Sequence, residues 1–300
     1  RKLEDKLQQA FILNTLGLIH WTLNDPGRAL ENLNQSLELA EASHSPLDIA
    51  TAYNNIGLVH RKEKRYPESI EFFKKALKKD GQLKSKWGQG YTHRNLGMSL
   101  LRMGQLETAE VHLKKAVELS REIGNRTNLV KAILELGNLA LERKQWEPAV
   151  SLFRDTFELS DRLNVKEVSW RALRGEGFAL IQSGKNGQAV ESYKKAVSVV
   201  DALRAAIKVE EFQNGFLTDK QDVYKELVLL LLNMGKVKES FQFAERAKSR
   251  SFIDLLGNQK ISLKDDVSRN LYEALNQQKQ AIRKIEESLT VARSSDGGED

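Results

Sequence analysis

Five glycines stand at a constant interval of 40 residues: Gly17, Gly57, Gly97, Gly137 and Gly177. A fixed period of this length leaves few architectures open, because one such unit is too small to bury its own apolar face and must stack on its neighbours. Three further columns keep the register. Ala29, Ser69, Ala109, Ala149 and Ala189 follow the glycines one for one at a constant offset. Leu33, Phe73, Leu113, Phe153 and Tyr193 come four positions later, and Ser36, Ala76, Ala116, Thr156 and Ala196 three after that. Steps of four and three put these side chains on one helical face. The residue before the glycine is apolar in Leu16, Ile56, Leu96 and Leu136. Glycine inside a helix costs about 1 kcal/mol relative to alanine, a loss that makes sense where a second helix comes very close. Asn24-Asp25-Pro26, Arg65-Tyr66-Pro67, Gly104-Gln105 and Gly184-Lys185-Asn186-Gly187 break the chain between helices. Pro26 and Pro67 suit the first turn of the helix that follows. The unit is a helix pair, and the fold class is all-α.

These columns resemble the tetratricopeptide (TPR) family, whose pattern is Leu-Gly in the first helix and small, aromatic and small residues in the second. The resemblance covers residues 1 to about 200 and implies a right-handed superhelix, an α-solenoid. The usual TPR period is about 34 residues. Here it is longer by six, and the added positions are expected mainly at the inter-repeat turns, such as Ser43-His44-Ser45-Pro46 and Gly124-Asn125-Arg126, with slightly longer helices. Versions with this longer period look like the arrays of kinesin light chain and of Pins-type spindle-orientation proteins.

The second-helix columns recur at Ser240, Ala244 and Ala247, after the turn Met234-Gly235-Lys236. Ser240 lies 51 residues after Ala189, so this sixth pair carries 11 additional residues in an extended helical stretch from Val197 to Asn214. Ala202-Leu203-Arg204 through Glu210-Glu211-Phe212, Phe216, Lys220 to Tyr224 and the run from Ala244 to Leu256 resemble the junction of TPR–CHAT proteins, in which a TPR array precedes a caspase-like protease domain. The resemblance implies a regulatory or partner-binding region, with the family's catalytic His and Cys beyond Asp300. An ordinary terminal TPR pair is the alternative reading. Beyond Gly257-Asn258 a further helix is expected from about Asp265 to Arg293, with Leu271, Leu275, Gln278, Ile282, Ile285, Leu289 and Ala292 at heptad spacing. That seam can cap the last apolar face, pair with another chain or meet a following domain. The expected organisation is 1–200 as five helix pairs, 201–257 as an extended helix with a sixth pair, 258–293 as a capping or connecting helix, and 294–300 as a disordered tail.

Composition excludes several kinds of chemistry. The chain has no cysteine, which removes disulfides, thiolate metal sites and a thiol nucleophile and agrees with a reducing cytoplasm, the expected location. No run of about 18 apolar residues exists, so no membrane span is expected. The chain starts at Arg1 rather than Met, which leaves a removed signal peptide open. The net charge of +6 is spread along the chain instead of gathered in a stripe or tail, which argues against nucleic acid. Gly184-Lys185 lacks the first glycine of a phosphate loop, where Ala179 stands, and is followed by Asn186. None of the histidines at 20, 44, 60, 93 and 112 has a second histidine three or four residues on, and no Gly-x-Ser-x-Gly elbow occurs. No catalytic residue, metal site or cofactor is expected, and the chain is expected to be no enzyme.

The expected function is a scaffold that holds a protein or peptide in its concave groove. The resemblance implies that the first helix of each pair lines that groove, with residues near the glycine facing it. This selects Asn14, Asn54, Asn55, Arg94, Asn95, Lys131, Asn138, Arg171 and Arg174. An asparagine amide both donates and accepts, so it can pair with an extended peptide backbone without reading sequence; Asn55 and Asn95 fit that role best. Arg94, Lys131, Arg171 and Arg174 predict an acidic or C-terminal-carboxylate ligand, with the protein's own downstream domain as one candidate. The alternative for these residues is that they solvate the groove and pair with Glu135 or Glu176. A regulatory arm of a CHAT-type protease is the leading reading, a free-standing TPR adaptor the second, and a component of an RNA-guided or RNA-binding complex the third.

Overall fold

A computed structural model describes residues 2–206 and 220–258. Every regular element among them is helical: α1 (Lys2–Thr22), α2 (Pro26–Ala42), α3 (Pro46–Lys62), α4 (Tyr66–Gln82), α5 (Lys86–Arg102), α6 (Leu106–Glu122), α7 (Arg126–Glu142), α8 (Trp146–Arg162), α9 (Lys166–Gln182), α10 (Asn186–Ala205), α11 (Gln221–Asn233) and α12 (Val237–Asn258). From α2 to α9 each helix has 17 residues. From α1 to α10 a turn of the same length separates each helix from the next, so helix starts recur at half the glycine interval from Pro26 to Asn186.

The cadence has a local cause. The middle residue of each turn is left-handed: Asn24, His44, Lys64, Lys84, Gly104, Gly124, Lys144, Asn164 and Gly184. At the first of them the Asn24 N–H donates to the Trp21 carbonyl at 3.2 Å and the Asp25 N–H to the His20 carbonyl at 2.9 Å. This pair of bonds is a Schellman motif, which satisfies carbonyls that would otherwise be orphaned at the helix end. The third turn residue then caps the next helix. Asp25, Ser45, Ser85 and Asn125 each accept from the N–H three residues on, worth about 1 kcal/mol per cap.

The turns within and between pairs are therefore the same length. The six positions beyond the usual TPR period lie in the helices, not in the inter-repeat turns, which corrects the expectation from sequence. A longer connection would leave backbone groups unpaired, whereas a longer helix satisfies its own.

The repeat glycines act as expected. A Cβ on Gly57 would stand 2.7 Å from the Phe73 ring and one on Gly97 2.7 Å from Leu113. Phe153 is gripped twice: a Cβ on Gly137 would come within 2.6 Å of it and one on Gly175 within 2.5 Å. Leu33, Phe73, Leu113, Phe153 and Tyr193 are all fully buried, as are the small residues 29, 69, 109, 149 and 189. In the sixth pair Ser240 is buried and donates to the Val228 carbonyl at 3.1 Å. The helix expected over 265–293 and the tail 294–300 lie outside the described residues, as does the part of the extension from 207 to 219.

Candidate functional site: the inner face of the solenoid

First helices of successive pairs touch one another (α1 with α3, α3 with α5, α5 with α7, α7 with α9), while the second helices stand further apart. The stack therefore curves with the first helices on the inside. The nine residues selected from sequence are on these helices, but they do three different things.

The asparagines are structural links. Asn55 Nδ2 donates to Asn14 Oδ1 and Asn95 Nδ2 donates to Asn54 Oδ1, both at 2.9 Å. Asn55 and Asn95 are buried, Asn95 to 1% exposure. The Oδ1 of Asn95 also accepts from Arg61 and Arg94, each at 3.3 Å. The amide ladder expected to serve a peptide backbone thus ties α1 to α3 and α3 to α5. The physical reason is that a side-chain amide can serve a ligand or a neighbouring helix equally well, and burial decides for the helix.

The late cations are paired. Arg171 donates to Glu167 at 2.8 Å, one turn back. Arg174 Nε lies 3.1 and 3.0 Å from the two carboxylate oxygens of Glu226 on α11, and that carboxylate holds the Arg174 guanidinium in its charged form more firmly than usual. Asn138 donates to Glu135 at 3.0 Å.

The central cations are not neutralised in this way. Arg61, Arg94 and Lys131 make no ion pair with a carboxylate among the described residues. Burial lowers the proton affinity of Arg61, with Arg94 adding to it and Glu135 opposing, to a pKa of about 10. Burial also lowers Arg94, with Glu135 opposing, and Lys131, for which the charges of Arg94 and Arg171 push the same way and Glu167 opposes. Arg94 is held by Asn128 Oδ1 at 2.6 Å and lies over the Tyr91 ring at 5.1 Å; Tyr91 in turn meets the exposed Trp87 at 4.4 Å. A cationic row thus crosses α3, α5 and α7.

Beside the row is a groove of about 490 Å³, walled by Met98, Leu134, Asn138, Trp170, Arg174 and Phe178 among others. Arg61 reaches Met98 Sδ at 3.4 Å, so row and groove are continuous. Trp170 is 3% exposed, and its indole N–H has no acceptor among the described residues.

Arg61, Trp170 and Glu226 were not selected from sequence. Arg61 sits four residues after Gly57, a position that repeat logic places on the groove. Glu226 occupies the column of Asn55, Asn95, Glu135 and Gly175 once the longer step to the sixth pair is applied. No cluster of three or more potential metal ligands exists among the described residues, and none of their helices is long and apolar enough to cross a membrane. His60 stacks on Phe72 at 5.3 Å, a packing role.

Residues 12–43, 50–82 and 89–162 each match a family model described as tetratricopeptide repeat. These helix pairs are tetratricopeptide repeats. Among curated proteins, the Tonsoku-like protein of Danio rerio is 22% identical over 197 residues, which is 65% of this chain and 13% of that much longer protein. Among solved TPR-containing structures, BtubC from P. vanneervenii superposes with a TM-score of 0.65 at 14% identity, over 80% of this chain and 96% of that one. The apo form of RapI superposes with a TM-score of 0.61 at 16% identity, over 82% and 84%. A Rap protein complexed with competence and sporulation factor gives 0.61 at 14% identity, over 84% and 77%. At these identities the likeness is one of fold.

Proposed function

We propose that this TPR solenoid is a protein-interaction scaffold that takes an acidic polypeptide segment, such as a C-terminal tail, along its inner face. The observation that carries the reading is the row of Arg61, Arg94 and Lys131. All three are half-buried cations that make no ion pair among the described residues, Glu135 and Glu167 acting on them only from a distance, and the charge of Arg94 lowers the proton affinity of the other two. Like charges held together at low dielectric favour whatever anion relieves them. A carboxylate-rich strand does so while its backbone lies in the groove, beside the Trp87–Tyr91 pair. That a Rap protein of similar fold has been crystallised with competence and sporulation factor supports a ligand-holding role for such a fold.

The test uses fluorescent peptides of Glu-Ser and Gly-Ser repeats. The acidic peptide is expected to bind, and Lys131→Glu to weaken it by roughly tenfold, in line with about 1.4 kcal/mol for one charge reversal. Equal affinity for the acidic and neutral peptides sinks the reading. The finer assignment, in which 1–200, 201–257 and 258–293 form the sensor arm of a cytoplasmic CHAT-type protease, rests on the Ala244-to-Leu256 run. Its test is the coding sequence beyond codon 300: a mixed α/β segment carrying His and then Cys supports it, and an immediate stop leaves a free-standing adaptor.

A further inference from the structure

Arg61 on α3 and Arg94 on α5 both donate to one atom, Asn95 Oδ1, each at 3.3 Å. Two guanidiniums therefore stand side by side across a helix interface and share a neutral acceptor. Their other partners are neutral too: Met98 Sδ and the Phe73 ring for Arg61, Asn128 Oδ1 and the Tyr91 ring for Arg94. Those amides are fixed in turn, since Asn95 donates to Asn54 and Asn128 to Ser120 Oγ, and both are buried. Each arginine fork is thus oriented before any ligand arrives, which spares the entropy of ordering it on binding. Arg174 stands in the column of Arg94, two pairs on, and there Glu226 supplies the carboxylate. Glu135 acts on Arg61 and Arg94 from beyond ion-pair distance and is itself engaged by Asn138.

Donors are left over at this point of the groove. Arg61 Nε and Nη2 and Arg94 Nε make no hydrogen bond among the described residues, and none of these atoms is sealed from solvent. Lys131, next along the row, adds an ammonium whose charge Arg94 already opposes. A carboxylate brings one charge and two oxygens in a plane, which faces a single guanidinium. Two converging forks and an ammonium are matched instead by three oxygens splayed in space and carrying nearly two charges, which is a phosphate monoester. The phosphodiester of a nucleic acid has one charge and two free oxygens, so it leaves part of the same donor set unmet.

We propose that the paired guanidiniums of Arg61 and Arg94, with Lys131 beside them, receive one phosphorylated serine or threonine of the segment that lies on the inner face. The proposal rests on the acidic-segment reading above and names the anion that the centre of the row prefers. Two fluorescent peptides of equal charge test it at about pH 7.5, where the phosphate monoester is close to doubly ionised: the Glu-Ser repeat with one central phosphoserine, and the same repeat with two serines replaced by glutamate. The phosphopeptide is expected to bind roughly tenfold tighter. Asn95→Asp sets a carboxylate between the two arginines and is expected to abolish that difference. Arg61→Lys keeps the charge but loses the fork and is expected to cut the difference to about threefold. A phosphopeptide that binds no tighter than the glutamate peptide, with both above the Gly-Ser peptide, overturns the phosphate assignment and leaves the acidic reading standing. Affinity no better than that of the Gly-Ser peptide for either one overturns both. A full tenfold preference that survives in the two variants, with helical circular dichroism unchanged, overturns the assignment to this arginine pair.

Discussion

At residue scale, the nine turns between α1 and α10 offer a direct measurement of left-handed strain. Gly104, Gly124 and Gly184 take positive φ freely, but Lys64, Lys84 and Lys144 hold φ of 60°, 52° and 56° in the same place. A Cβ in that region costs on the order of 1 kcal/mol, offset in part by the greater freedom glycine has in the unfolded chain. Lys84→Gly or Lys144→Gly is expected to raise stability by about 0.5–1 kcal/mol in urea titrations. A pH effect comes from His93 and His112, whose Nδ1 atoms lie 2.8 Å apart between α5 and α6. Only one of the two can carry the shared proton. Burial, then His112 and Lys115, lower His93 to a pKa of about 4, with Glu118 opposing; burial and then Lys74 lower His112. Folded-state values below the unfolded value near 6.5 mean that the unfolded chain binds more protons in mild acid. Stability is then full above pH of about 6.5 and falls as pH drops towards about 4. The corresponding residues one repeat earlier are Tyr53 and Phe72, 6.1 Å apart. Replacing His93→Tyr and His112→Phe is expected to flatten thermal stability over that pH range.

At the scale of elements, the glycine-to-ring contacts set how closely paired helices approach. Gly137→Ala and Gly175→Ala both drive a methyl into Phe153, so each is expected to destabilise by about 1–3 kcal/mol. The pair should be non-additive because they press on one ring. Combining Gly175→Ala with Phe153→Leu, the residue found at Leu33 and Leu113, should recover most of the loss in thermal melts, because that methyl meets only the tip of the ring; Gly137→Ala should not be rescued, since a Cβ on Gly97 stands just as close to Leu113. The buried Asn95 belongs to the same scale. Asn95→Ala leaves Asn54, Arg61 and Arg94 each short of a partner and is expected to cost about 1–3 kcal/mol, loosening amide exchange in α3 and α5. The glycine columns were legible in the sequence because a close approach admits almost no other residue. The turn cadence was not, because Asn, His, Lys and Gly share one backbone position and only half of each step was marked by a breaker. The role of Asn55 and Asn95 was hidden for a chemical reason: their amides suit a ligand and a neighbouring helix equally, and only burial separates the two. Arg174 was legible as a cation, but its partner Glu226 stood beyond the irregular step to the sixth pair.

At the scale of the whole molecule, each pair contacts mainly its neighbours, so stability is close to a sum over pairs and interfaces. Local opening at one end need not unfold the other. Amide exchange is expected to show the slowest protection around α8, α9 and α10, where the largest core cluster joins Phe153, Trp170, Leu173, Leu180 and Tyr193, and faster exchange in α1. The electrostatic side has the same one-dimensional character: the unpaired cations cross α3, α5 and α7, whereas Arg171 and Arg174 further along are already matched. Added salt should therefore weaken an acidic peptide that lies on the central stretch and barely affect contacts beyond it.

The uniform turn carries a rule of parity. Every helix from α2 to α9 has the same length and every joint the same grammar. Deleting or duplicating a single helix with its turn would leave each joint intact and still be ruinous: every helix downstream would change places between lining and backing, and a face made for solvent would be asked to meet a core. Only steps of a whole pair preserve which side is which. A gene for such a chain can grow or shrink by pairs without retuning a single turn, and any relative whose array differs by an odd number of helices must have rebuilt its inner and outer faces to do so.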